Sequence, residues 1–211
     1  MKTSLMYRLT IWFCGAIFGL SIAATSAVAG QPSEVVESFH QSLLKVMQTA
    51  ATTKIQGRYD QLESPIGSTF NLPFMIQIAS GAKWRDASDA DKTKLVDAFK
   101  RVSVGTYAQR FDGFSGERFE TVGEQDGPSG AKLVQTRIVR PNKDAVPITY
   151  VMRKFGDEWG IVDVIVSNGI SELAVRRSEY NGILNAGGPS ELVTKLNQKA
   201  DAILAGATAA N

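Results

Sequence analysis

Cysteine and histidine are almost missing from this 211-residue chain, which has one of each, Cys14 and His40. A metal centre made of clustered imidazoles and thiolates needs several such ligands. The chain offers no HExxH pair, no CxxC pair and no acidic loop of calcium-binding spacing. A serine triad would have to recruit His40, and no G-x-S-x-G elbow exists to expose the nucleophile. Neither a metal nor a cofactor is therefore expected. Charge of one sign is scarce as well, with 23 Lys and Arg against 21 Asp and Glu. Without a basic block to neutralise a phosphate backbone, nucleic-acid binding has no electrostatic footing. No internal repeat is found, and past residue 29 no apolar run approaches the roughly 20 residues of a membrane span.

The apolar run that does occur lies at the start. Lys2 and Arg8 precede Leu9 to Ala24, and Ala27-Val28-Ala29 supplies the small-x-small pattern of a cleavage site. Residues 1–29 read as a secretory signal peptide removed before Gly30. A retained anchor fits less well, because the run decays into Ser and Thr. A lipoprotein fits less well still, since Cys14 lies deep in the run behind bulky Phe13. Loss of Lys2 and Arg8 leaves 21 basic and 21 acidic residues and no cysteine. Such a chain avoids disulfide chemistry in an oxidising compartment. Residues 30–204 are expected to form one domain with a core that needs no staples. Residues 205–211 are expected to be a loose tail.

Helical patterning comes first. Gln31-Pro32-Ser33-Glu34 opens a helix with Ser33 as N-cap, and Val35, Val36, Phe39, Leu43, Val46 and Met47 carry its apolar face to about Lys54. Pro65 and Gly67 predict breaks between Gly57 and Asn71. A short helix, Phe74 to Ser80, is apolar nearly all round, so it must be buried or line something apolar. Ser88-Asp89-Ala90-Asp91 resembles a capping box for a longer helix whose face carries Leu95, Phe99, Val102, Thr106 and Phe111. The period then changes to alternation over 117–124, 132–140, 148–155 and 158–167, with short turns that imply an antiparallel meander. Two helices follow, Ile170 to about Leu184 and Ser190 to about Leu204. The order predicts an α+β fold: a curved antiparallel sheet of about four strands wrapped by N- and C-terminal helices.

The stretch Trp159 to Ser171, WGIVDVIVSNGIS, is the most apolar strand and ends at Asn168-Gly169. Alternation puts Val162, Val164 and Val166 on one face, and Trp159, Ile161, Asp163 and Ile165 on the other. Asp163 is the one acid in that run. It is either a buried acid with catalytic use or a structural group satisfied by a cation or by backbone donors. Helix spacing from Ile170 through Leu173, Tyr180 and Leu184 aims Arg177 at the core side, so an Asp163–Arg177 ion pair is the better reading. Asn168 or Gly169 is expected to supply the unusual backbone geometry at this junction and the N-cap acceptor of the following helix. His40 is expected at the helix surface or boundary. The aromatic and Met residues are core, or the wall of a cavity enclosed by a curved sheet.

An ordered set of residues carries a family resemblance: Trp84, Phe99, Thr106-Tyr107-Ala108, Tyr150, Trp159, Asp163, Gly169-Ile170-Ser171, Arg177 and Gly188. From Ser33 to Leu204 the chain resembles the MlaC (toluene-tolerance auxiliary) family of periplasmic phospholipid carriers. The run VSNGISELAVRRSEYNGIL is most similar to the hopanoid-cluster, HpnM-type branch. Where the MlaC type commonly has Glu-Gly-Val-Ser this chain has Asn168-Gly169-Ile170-Ser171, and the Tyr-Arg pair is Arg176-Arg177. The resemblance implies an NTF2-like sheet with helices and an apolar tunnel, no chemistry, and passage of lipid between membrane complexes.

Three functions follow as expectations. The first is a periplasmic carrier of phospholipid or hopanoid-type lipid. Its expected pocket lining is Phe74, Met75, Ile78, Phe99, Tyr107, Tyr150, Met152, Val164, Ile170 and Leu173. The second is a small-cavity hydrolase or isomerase using Asp163. The third is a ligand-free structural adaptor.

Overall fold

The computed structural model describes residues 30–167 and 169–206. Residues 1–29, where the signal peptide is expected, Asn168 and residues 207–211 lie outside the described residues.

Helices come first along the chain. Helix α1 (Pro32–Thr49) begins with Pro32, at a position where a missing N–H costs nothing. The Glu34 carboxylate accepts from the Gln31 N–H at 2.9 Å, so the cap sits at Gln31 and not at Ser33. Helix α2 (Ile55–Thr69) runs straight through Pro65 and Gly67, where local sequence predicts breaks. An interior proline costs about 3 kcal/mol. Here Leu62 and Ile66 on the same helix are fully buried, and that burial outweighs the local penalty. Helix α3 (Leu72–Ser80) is capped by Asn71, whose side chain accepts from the Phe74 N–H at 2.9 Å. A short α4 (Ala82–Asp86) follows the left-handed turn at Gly81.

Helix α5 (Asp89–Arg110) starts with Ser88 as its N-cap: the hydroxyl oxygen accepts from the Asp91 N–H at 3.1 Å. The reciprocal half of the expected capping box is not made, because the Asp91 carboxylate accepts from the Ser88 hydroxyl at 2.7 Å instead of from the Ser88 N–H. Its inner face carries Leu95, Phe99 and Val102, all without exposure. The last helix, α6 (Glu172–Leu204), bends at Gly188, with φ 70° and ψ −167°, just before Pro189. Its two arms correspond to the two predicted C-terminal helices. Against α5 it packs closely enough that a Cβ on Gly105 would lie 3.3 Å from Ile203.

Between α5 and α6 lies the sheet: β1 (Arg118–Asp126), β2 (Lys132–Arg140), β3 (Lys143–Phe155), β4 (Glu158–Val166) and β5 (Ile170–Ser171). The strands are antiparallel neighbours in chain order. The α+β class and the meander stand as read from sequence, with a fifth strand of two residues added. The chain after α2 touches the sheet too: Phe70 forms a parallel bridge with Ile161, and Asn71 N–H donates to the Ile161 carbonyl at 2.9 Å.

One irregularity corrects the expected faces of β4. Val151 pairs with Asp163 but the next residue, Met152, pairs with Ile161, so Val162 is an extra, bulged residue. The bulge brings Ile161 and Val164 to the same inner face, opposite Met152 and Tyr150. Among the described residues no helix is long and apolar enough to cross a membrane.

Candidate functional site

The inner face of β3 and β4 does not close completely on the helices. A cavity of about 170 Å³ remains between Ile148, Tyr150, Val164 and Val166 of the sheet and three helices. Ile66, Phe70, Leu72 and Met75 close one side at the end of α2 and the start of α3. On α5 the wall is Ser103, Thr106, Tyr107 and Arg110, which recur at i, i+3, i+4 and i+7, followed by Phe111. The first turns of α6 add Glu172 and Arg176.

Aromatic rings make the inner wall stiff. Phe39, Phe70 and Tyr107 meet edge to face with centroids 5.1 to 5.6 Å apart, and Tyr107 stacks on Phe111 at 5.8 Å. Behind them His40 is buried, not exposed as its helical position suggests. Its Nε2 lies 3.0 Å from the Tyr150 hydroxyl, and its ring stacks on Phe119 at 4.3 Å. Burial pushes the imidazole down to about 4, so it is neutral at physiological pH. Burial likewise holds the Tyr107 and Tyr150 phenols well above their usual range. The inner end of the cavity is thus uncharged. At its other end lie Arg110, paired with Glu172 at 3.0 Å, and Arg176, whose Nη1 donates to the Tyr180 hydroxyl at 3.2 Å.

Four of the ten expected lining residues face this cavity: Met75, Tyr107, Tyr150 and Val164. Phe99, Met152 and Leu173 are buried in the solid core beside it. Phe74 packs instead on Phe155 at 5.4 Å, beneath Arg153, on the outer side of α3. Ile78 and Ile170 are exposed. The stripe on α5 could have revealed Ser103, Thr106 and Arg110, since they share the spacing that marked Tyr107.

The expected Asp163–Arg177 pair does not form. Asp163 Oδ1 accepts from the Val164 N–H at 2.8 Å and the Leu173 N–H at 2.9 Å, and Oδ2 accepts from the Ser171 hydroxyl at 2.5 Å. Those three donors satisfy the carboxylate without a cation. Helix α6 begins at Glu172, with Ser171 as its N-cap, and it leans on α5, where Phe99 approaches Tyr180 at 6.5 Å and Arg176 at 5.4 Å. That contact turns Arg176 inward and leaves Arg177 exposed on a groove between α3 and α6. At the junction expected to supply the unusual backbone and the cap, Gly169 has a φ of 80° and Asn168 lies outside the described residues. Asp163 is not on the cavity wall, and among the described residues no group of three or more His, Cys, Asp or Glu could hold a metal.

Sheet, helices and cavity together define a protein built around a small apolar pocket with a cationic end. A phospholipid-binding protein from Ralstonia solanacearum, solved in complex with a phospholipid, has the same fold. Its TM-score is 0.72 at 16% identity, covering 82% of this chain and 99% of that one. The chain belongs to the MlaC protein family, whose model matches residues 37–198. A relative from Haemophilus influenzae, the intermembrane phospholipid transport system binding protein MlaC, is 25% identical over 134 residues. The match spans 62% of each chain.

Proposed function

We propose that this protein is a periplasmic lipid carrier, exported by a cleaved signal peptide at residues 1–29, with residues 30–204 as its lipid-binding domain. It takes phospholipid or hopanoid-type lipid from one membrane complex to another. The observation that carries this reading is the apolar cavity between sheet and helices, walled by Tyr107, Tyr150 and Val164 and ending at Arg110 and Arg176. The names of the Haemophilus and Ralstonia relatives support it. The run Val166 to Leu184 supports the hopanoid-cluster branch in particular.

The energetics favour hydrocarbon over headgroup as the source of affinity. Each CH₂ moved from water to an apolar wall contributes about 0.8 kcal/mol, so an acyl chain outweighs any single polar contact. Size sets a requirement. An engineered cavity of about 150 Å³ accepts one benzene, so the present 170 Å³ holds a segment of comparable bulk. Loading a full chain requires the helices to part from the sheet. The hydrolase reading lacks such support, because the three donors on Asp163 hold it away from the cavity.

Native mass spectrometry with lipid extraction, on protein purified from its own cells, tests the carrier. Stoichiometric lipid that leaves on denaturation is the expected result. A protein that is lipid-free as isolated, and stays so after incubation with membrane lipid extract, would sink the reading.

A further inference from the structure

Arg176 is the unusual residue of the cavity. It is partly buried and lines an otherwise largely apolar pocket, yet among the described residues no carboxylate pairs with it. Glu172, four residues earlier on the same helix and also on the cavity wall, is taken by Arg110 at 3.0 Å, and Glu179 is exposed. A guanidinium has five N–H donors in a planar fork. Here one hydrogen bond is made, to Tyr180, and the plane rests 5.4 Å from the centre of the Phe99 ring. Buried charges are normally paired, because desolvation without a counter-charge is costly. Two arginines against one glutamate leave this end of the cavity with an excess positive charge.

We infer that Arg176 is the specificity-determining residue of the cavity mouth, and that it selects amphiphiles whose polar end is an oxyanion, a phosphate or a carboxylate. The inference rests on the carrier reading and sharpens it. The fork and the phosphate or carboxylate match in geometry, so the acid completes the pairing that the protein leaves open. Phe99 and Tyr180 hold the guanidinium in place before the ligand arrives. Arg110 reinforces the field from the rim, where it is more exposed. A wholly uncharged polycyclic or diacyl lipid would fill the apolar wall but leave Arg176 unpaired.

The test compares phosphatidic acid with diacylglycerol of identical acyl chains, offered together to delipidated protein, with bound lipid counted by native mass spectrometry. Wild type is expected to favour the acid by about tenfold or more, the effect of one hydrogen bond to a charged group. Arg176→Gln is expected to bring the ratio close to one, chiefly through lost uptake of the acid. Arg176→Lys keeps the charge without the fork and is expected to retain only part of the preference, and it decides the matter should the glutamine variant fail to fold. A ratio near one in wild type, or one unchanged in both variants, overturns the proposal. Inorganic phosphate, kept too dilute to act as a stabilising salt and matched in ionic strength with chloride, is expected to leave the melting temperature of the lipid-free protein unchanged. A shift would mean a site for free anion and overturn the claim that the acid must ride on a chain. Uptake of neither lipid by wild type would overturn the carrier reading and this proposal together, whereas equal uptake of both overturns this proposal alone.

Discussion

The Ser171 hydroxyl donates to the Asp163 carboxylate at 2.5 Å and so ties the start of α6 to the middle of β4. The same serine oxygen accepts from the Ala174 N–H at 2.9 Å, which makes Asp163 the outer partner of a helix cap. Asp163→Ala removes an acceptor from two backbone N–H groups and is expected to cost roughly 2 to 3 kcal/mol. Arg177→Ala, at an exposed position, is expected to stay within about 0.5 kcal/mol of wild type. Urea denaturation of both variants separates the two roles. Equal losses in the two would restore the ion pair.

His40 gives stability a pH dependence of known sign. Its folded value of about 4 lies below the ordinary 6.5, so the unfolded chain takes up the proton first. The contribution is fully present above pH 6.5 and is lost as the pH falls toward 4, for a total of about 3 kcal/mol. His40→Phe is expected to be weaker at pH 7, because the Tyr150 hydroxyl loses its partner, and flatter between pH 7 and 4. Parallel unfolding curves for wild type and variant across that range would refute the burial of a neutral imidazole.

Two glycines on α6 should respond in opposite directions. Gly188 has a positive φ that side chains avoid, and Gly188→Ala is expected to cost roughly 1 to 3 kcal/mol. Gly182 is helical with open space where a Cβ would go, so Gly182→Ala is expected to gain up to about 1 kcal/mol. Thermal melts compare them directly, and the same sign for both would contradict the bend.

Val166→Phe adds bulk to the cavity wall without a new polar group. Lipid co-purification is expected to fall several-fold, while a cavity that accepts the ring without strain leaves stability within about 1.5 kcal/mol. Undiminished lipid in a folded variant would place the binding site elsewhere.

Much of the architecture was legible because it is written locally. The Ser88–Asp91 cap fixes the start of α5, and alternation from Lys132 to Arg140 matches β2 residue for residue. What escaped depends on distant partners. Pro65 sits inside a helix because burial elsewhere on that helix overrides its local cost. His40 meets Tyr150 across 110 residues, a contact that no window of sequence contains. The bulge at Val162 exchanges the two faces of a strand whose composition is apolar on both, so alternation has nothing to fix it. Arg176 and Arg177 stand three and four residues beyond Leu173, on either flank of the same apolar face, and only the lean of α6 on α5 chooses between them.

The bridge from Phe70 to Ile161 has a consequence for encounters between copies. A sheet can grow through any long row of free backbone donors and acceptors at its margin. Here Phe70, Asn71 and the two residues of β5 occupy the margin along β4. At the opposite margin, the bulge after Thr121 and the Arg118 and Glu120 charges interrupt β1. Neither side offers a smooth template for another sheet. A molecule that keeps apolar lining inside and interrupted margins outside can be crowded at high concentration without adding strands to its neighbour.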